Sequence, residues 1–168
     1  MNVQRKQKGF TIIEVVLVLA IAGLIFLMVF IALPALQRSQ RDTQRKDDLS
    51  RFTTALQNYA TNNRGSLPVT TTAFGPSGNF ISTYLAVGGS SFTDPSGTPY
   101  STVVVTPGQL PGTDAYSSNV TATQGVFYIS PAAVCGATGD TTTTAGATGR
   151  NEAVQIALEN GGFSCQNI

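Results

Sequence analysis

The residues best placed for chemistry are a lone acid and the junction ahead of it. Glu14 stands near the start of an apolar zone in which Val15–Leu33 carry neither a charge nor a strong hydrogen-bonding side chain, and Gly9-Phe10 lead into it. An acidic side chain within a membrane segment costs about 2.5–3.5 kcal/mol at a helix centre even on lenient insertion scales, and less near a helix end. The bland reading is a side chain that snorkels to the headgroups. The other is an acid held for a partner. Enzymatic chemistry has little to work with: the chain has no His, so the commonest general base and the commonest metal ligand are absent. No convergent acid cluster stands out, and no catalytic residue, metal ligand or cofactor is expected. Cys135 and Cys165 lie far apart and form no C-x-x-C arrangement, which leaves zinc and thioredoxin-like chemistry unsupported. A single structural disulfide, in a compartment outside the cytoplasm, is the simpler account, with two buried free thiols as the alternative.

These residues must be positioned by a helix. At about 1.5 Å rise per residue the uncharged stretch spans roughly the hydrocarbon core of a bilayer, and its apolar character extends outward to Phe10 and Leu36. Arg5, Lys6 and Lys8 precede it with no acid among them, which favours a cytoplasmic N-terminus and a translocated remainder. A secretory signal peptide has an apolar centre of only about 7–15 residues, too short for this run. A plain signal anchor accounts for the helix but not for Glu14. The formal net charge of +1 gives the whole chain no electrostatic partner preference, and 168 residues suit one domain plus an appended element.

Lys8-Gly9-Phe10-Thr11-Ile12-Ile13-Glu14-Val15 resembles the processing site of type IV prepilins and related pseudopilins. In that family a dedicated membrane peptidase cuts after the glycine and methylates the new N-terminal phenylalanine. The resemblance implies that Gly9 ends the leader and Phe10 begins the mature chain, and that Gly23 falls where many such helices carry a glycine. It also implies an assembly platform as partner, membrane residence before assembly, and a homo-oligomeric helical filament at the cell surface afterwards. Cleavage would remove three positive charges and create an amine at Phe10. Glu14 of one subunit then becomes a candidate to neutralise the Phe10 amine of a neighbour, setting register as a lone buried polar group does in coiled coils. Pro34 removes the hydrogen bond to the carbonyl of Phe30, and Gly23 is a weak helix former. Filaments of this family often melt the helix before a proline, although in many that proline stands three residues earlier than Pro34. A modest kink in a continuous helix is the alternative.

Beyond Gln37 the chain turns polar. Leu49, Phe52, Leu56 and Tyr59 then recur at spacings of three, four and three, a stripe that must lie on a surface. The mixed charges from Arg38 to Arg51 read by default as a solvated face, or as pairs between subunits. Asn62-Asn63-Arg64-Gly65 and then Pro68 end the helix. From Ser66 to Pro99 the chain reads as loop, with Phe80–Val87 as a short helix or strand. Asp94-Pro95-Ser96-Gly97-Thr98-Pro99-Tyr100 is similar to a turn before the sheet in pseudopilins and some pilins, and reads as a proline-glycine turn in preference to a calcium site. Strands are expected over Tyr100–Thr106, Val126–Val134, Ala153–Leu158 and Phe163–Gln166, with Glu159-Asn160-Gly161-Gly162 as a hairpin. Family members often carry a disulfide bounding a C-terminal loop, in agreement with Cys135 and Cys165.

The expected fold is thus α+β: a leader at 1–9, an apolar helix at 10–37, its amphipathic continuation at 38–64, and a head at 65–168 whose small antiparallel sheet packs one face on the helix. Asn119-Val120-Thr121 fits an N-glycosylation pattern, and the Thr tracts at 70–72 and 141–144 are expected at the surface. Past Arg51 only Arg64 and Arg150 oppose five acids, so direct nucleic-acid binding by the head is disfavoured. The leading expectation is a type IV pilin serving attachment, twitching motility or DNA uptake. A minor pilin or pseudopilin of a secretion or competence system is the second, and a membrane-anchored binding module that never polymerises is the third.

Overall fold

A computed structural model describes residues 9–68, 80–86, 92–105, 124–136, 142–143 and 151–168. Its first element, α1, runs unbroken over Ile12–Asn62 with Pro34 inside it. Every large apolar side chain that it and Phe10 carry up to Leu36 is exposed, from 44% at Leu33 to 91% at Phe10. The chain divides into two compact units at Gln37/Arg38. The end of α1 is set by local chemistry. Arg64 and Gly65 take positive φ values of 58° and 81°, and the Gly65 N–H reaches back to the Ala60 carbonyl at 2.8 Å, closing the last turn as a left-handed C-terminal cap does.

The expected helix stripe is the core of the second unit. Leu49, Phe52 and Leu56 are fully buried, with Tyr59 packed at the margin. Each such side chain contributes roughly 1.5–3 kcal/mol when removed from water. Four strands receive it: β1 (Ser101–Val104), β2 (Val126–Pro131), β5 (Glu152–Ala157) and β6 (Phe163–Asn167), ordered β1-β2-β5-β6, while β3 (Val134–Cys135) and β4 (Thr142–Thr143) form a separate pair. Phe52 stacks on Phe127 of β2 with ring centroids 4.4 Å apart. Ile129, Val154 and Ile156 complete that sheet face, with Phe80, Leu85, Phe92 and Tyr100 around them.

The α+β class is as expected, with two corrections in the sheet. β1 pairs with β2 in parallel, Ser101 opposite Val126, so the sheet is mixed and only β2-β5-β6 is antiparallel. A parallel pair cannot be closed by a tight hairpin, and β1 and β2 are accordingly far apart in the sequence, ending at Val104 and starting at Val126. The second sheet face is also buried: Val126, Tyr128, Ala153, Ala157 and Phe163 cluster there with Val105 and Ala133. Ser130 and Gln155 are buried as well, and their side chains find no hydrogen-bond partner among the described residues. Those polar residues make the strands read as half-exposed, which is why one covered face is expected from sequence.

The other elements fall close to expectation. The Glu159-Asn160-Gly161-Gly162 hairpin joins β5 to β6, with Gly161 and Gly162 at φ 88° and 84°, conformations that suit glycine. The expected strand over Val126–Val134 is interrupted at Ala132, which takes φ 52°, and resumes as β3. Ile81–Leu85 is a short π-helical turn. The pairing of Thr142-Thr143 with Val134-Cys135 is not foreshadowed by the threonine tract. Asn119-Val120-Thr121 and Thr70-Thr71-Thr72 lie outside the described residues.

Candidate functional site

Glu14 lies in the first turn of α1, and its side chain turns back on the chain. The Thr11 N–H donates to Glu14 Oε2 at 2.8 Å and the Thr11 hydroxyl donates to the same oxygen at 2.7 Å, while the Glu14 N–H faces Thr11 Oγ1 at 3.4 Å. This is a capping box, with Thr11 as the N-cap and Glu14 at the third helical position. Thr11 has no assigned role in the sequence reading. The signal that finds it is a Ser/Thr three residues before a Glu, directly ahead of an apolar run. Phe10 stands free at the tip, 91% exposed. A Cβ added at Gly9 or Gly23 would meet nothing within 4 Å, so packing among the described residues requires neither glycine.

A second cluster ties the rest of α1 to the head. Arg45 is fully buried and forks onto Asp94, Nε to Oδ1 at 2.7 Å and Nη2 to Oδ2 at 2.9 Å. Its remaining charge is met by Glu159 Oε1 at 3.0 Å and Asp42 Oδ1 at 3.3 Å. Arg41 clasps both oxygens of Glu159, at 2.8 and 2.6 Å, and Asp42 accepts the N–H groups of Glu159 and Asn160. Asp48, also buried, accepts the Tyr100 hydroxyl at 2.9 Å. Asp42, Arg45 and Asp48 are therefore interior groups, which corrects the solvated-face expectation for them. The charges that helical spacing turns towards the head are those the head neutralises.

The electrostatics follow from these contacts. Hydrogen bonding to Asp94 holds the Arg45 guanidinium firmly protonated against the cost of its burial. Burial alone would raise the Asp94 carboxyl, but Arg45 and the Ser96 N–H together outweigh it and hold the carboxyl below the usual range. The Arg41 clasp, with Arg45 behind it, lowers Glu159. Burial, then the neighbouring Asp48, pushes the Tyr100 phenol up. Both Asp94 oxygens are thus engaged, which favours the structural reading of the Asp94–Tyr100 turn over a cation site. Glu152 has the opposite character: 3% exposed, its Oε2 without a partner among the described residues, it is raised by burial to about 7.

Cys135 and Cys165 form a disulfide with their Cα atoms 5.8 Å apart. The bond joins the end of β3 to β6, and the Asn167 side chain accepts the Cys135 N–H.

These features define a class: a pilin-like α+β chain with one long N-terminal helix, apolar and uncovered in its first part, and a small mixed sheet on its second. Residues 4–30 match the family model of the prokaryotic N-terminal methylation motif, the class III signal peptide of type IV pilins. That match covers the Gly9-Phe10 junction, Glu14 and Gly23. It supports a pilin-like or pseudopilin protein and points to a structural subunit. No curated protein and no solved structure matches the chain.

Proposed function

We infer that the chain is a type IV pilin that is cut after Gly9, methylated at Phe10 and polymerised through the first part of α1 into a surface filament used for attachment, twitching motility or DNA uptake. The observation that carries this reading is the methylation motif over residues 4–30, which runs into a helix whose large apolar side chains up to Leu36 no described residue covers. An apolar surface of this size is stable in a bilayer or against other copies, and a filament subunit needs both in turn. In this reading Gly9 is the last leader residue, Phe10 supplies a cation at the tip, and Glu14 of a neighbouring copy neutralises it and sets the axial register. Gly23 and Pro34 mark where the helix yields as copies pack. The Cys135–Cys165 bond stabilises the head on the exposed filament. The partners are other copies of the chain, the prepilin peptidase that also methylates, and an assembly platform in the membrane.

The same motif and uncovered helix are also compatible with a second reading, a pseudopilin or minor pilin of a secretion or competence system. One experiment addresses both. Sheared surface material is expected to contain the chain beginning at methylated Phe10, within filaments visible by electron microscopy. Processed chain confined to the membrane, with no surface filament, would support the second reading. Recovery only in membranes with Met1 intact would overturn both.

A further inference from the structure

In the single chain, both polar donors of Thr11 converge on one oxygen of Glu14, Oε2, and no described residue donates to the other, Oε1. The first amides of any α-helix lack intrahelical acceptors, and in hydrocarbon no water replaces them. The carboxylate answers that need at Thr11 while spending only half of its acceptor capacity. Every bond in the box belongs to Thr11 or Glu14, and none uses the Phe10 nitrogen. Cutting the Gly9–Phe10 peptide therefore turns that nitrogen into an ammonium without disturbing the box.

From this geometry we propose that Thr11 is the positioning residue for Glu14. It commits Oε2 to the start of its own helix and presents Oε1, already oriented, to the Phe10 ammonium of a neighbouring copy. The inference rests on the Phe10–Glu14 pairing proposed above and adds the group that makes the pairing selective. A free glutamate side chain loses rotamer freedom when a partner docks, whereas one held by two short hydrogen bonds has lost it already and binds at smaller cost. Ile12 and Ile13, the residues between, offer no side-chain donor. Only a Ser or Thr at position 11 supplies both halves of the box.

The test uses full-length chain in cells carrying the assembly machinery, with filament yield expressed per chain processed to methylated Phe10. Thr11→Val keeps the size and branching and loses the hydroxyl; Thr11→Ser keeps the hydroxyl; Glu14→Gln keeps an acceptor for Thr11 and loses the charge. Thr11→Val is expected to lower the yield about fivefold, the size of a lost N-cap, and Thr11→Ser to stay within about twofold of the parent. Glu14→Gln is expected to abolish filaments. A parental yield from Thr11→Val beside a defective Glu14→Gln overturns the positioning role and leaves the pairing standing, as does an equal fall in Thr11→Val and Thr11→Ser. A parental yield from Glu14→Gln overturns the pairing and this inference with it. Should Thr11→Val escape processing altogether, amide exchange in phosphatidylglycerol vesicles decides. The Thr11 amide of the full chain is expected to exchange about tenfold faster in Glu14→Ala than in the parent, and equal rates overturn the box.

Discussion

Arg45 carries its charge at zero exposure, with Asp94, Glu159 and Asp42 around it. Burying such a group costs several kcal/mol, which the bidentate fork and the further carboxylates offset. The net gain over an apolar core is small, but removing one partner strands the rest. Arg45→Ala is expected to destabilise the head by about 3–5 kcal/mol, read as a fall in thermal midpoint of the full chain in detergent. Arg45→Lys should recover only part of this, because an ammonium cannot form the planar fork. Titration follows with opposite signs in two places. Asp94 and Glu159 have folded values below their unfolded ones, so their stabilisation is present above about pH 4 and lost as pH falls through the lowered folded values. Glu152 is raised to about 7, so its folded form prefers the proton, and stability from this group is lost as pH rises from about 4.5 through 7. A midpoint profile with a maximum in mildly acidic solution is expected, and Glu152→Gln should flatten its alkaline limb alone. An unchanged alkaline limb would mean that Glu152 is not the group responsible.

At the scale of elements, α1 was readable where one physical requirement acts over many residues. Its apolar first part, the Leu49-Phe52-Leu56 stripe and its Asn-Arg-Gly end all stand where periodicity and turn chemistry put them. Strand placement was legible within one or two residues except at the end of β2, which stops at Pro131 where Val134 was expected, and the glycine hairpin was legible too. Strand direction was not, because β1 and β2 are joined through a long connection whose path no local signal states. The β3–β4 pair was missed for a related reason: two residues on each side are too short for a pattern. That small pair leans on the Cys135–Cys165 bond, which closes a sequence separation of 30. Loop closure of that length is worth about 3–4 kcal/mol in the chain-entropy account. Reduction, or Cys165→Ser, is accordingly expected to lower the thermal midpoint and to speed amide exchange at β3 and the end of β6 before it affects β2 and β5. Uniform loss across the sheet would contradict this order.

For the whole molecule, the exposed apolar run from Phe10 to Leu36 fits membrane anchoring. Unassembled chain is expected to stay with membranes through alkaline extraction and to need detergent for release; appearance in the soluble fraction would contradict a spanning helix. The membrane-compatible segment and the candidate processing junction were legible in sequence alone, since a long uncharged run, a flanking basic leader and Gly9-Phe10 are properties of consecutive residues. The Thr11–Glu14 box was also available there, as a three-residue spacing. What the tertiary structure decided is the fate of the charges beyond Gln37. Asp42, Arg45 and Asp48 look like any solvated helical face until the Asp94 turn and the Glu159 hairpin, 49 and 118 residues away from Arg45 and Arg41, are folded against them. The same holds for the second sheet face, buried despite Ser130 and Gln155. Burial of a polar group depends on which distant partner the chain brings to it, and sequence spacing carries no record of that distance in space.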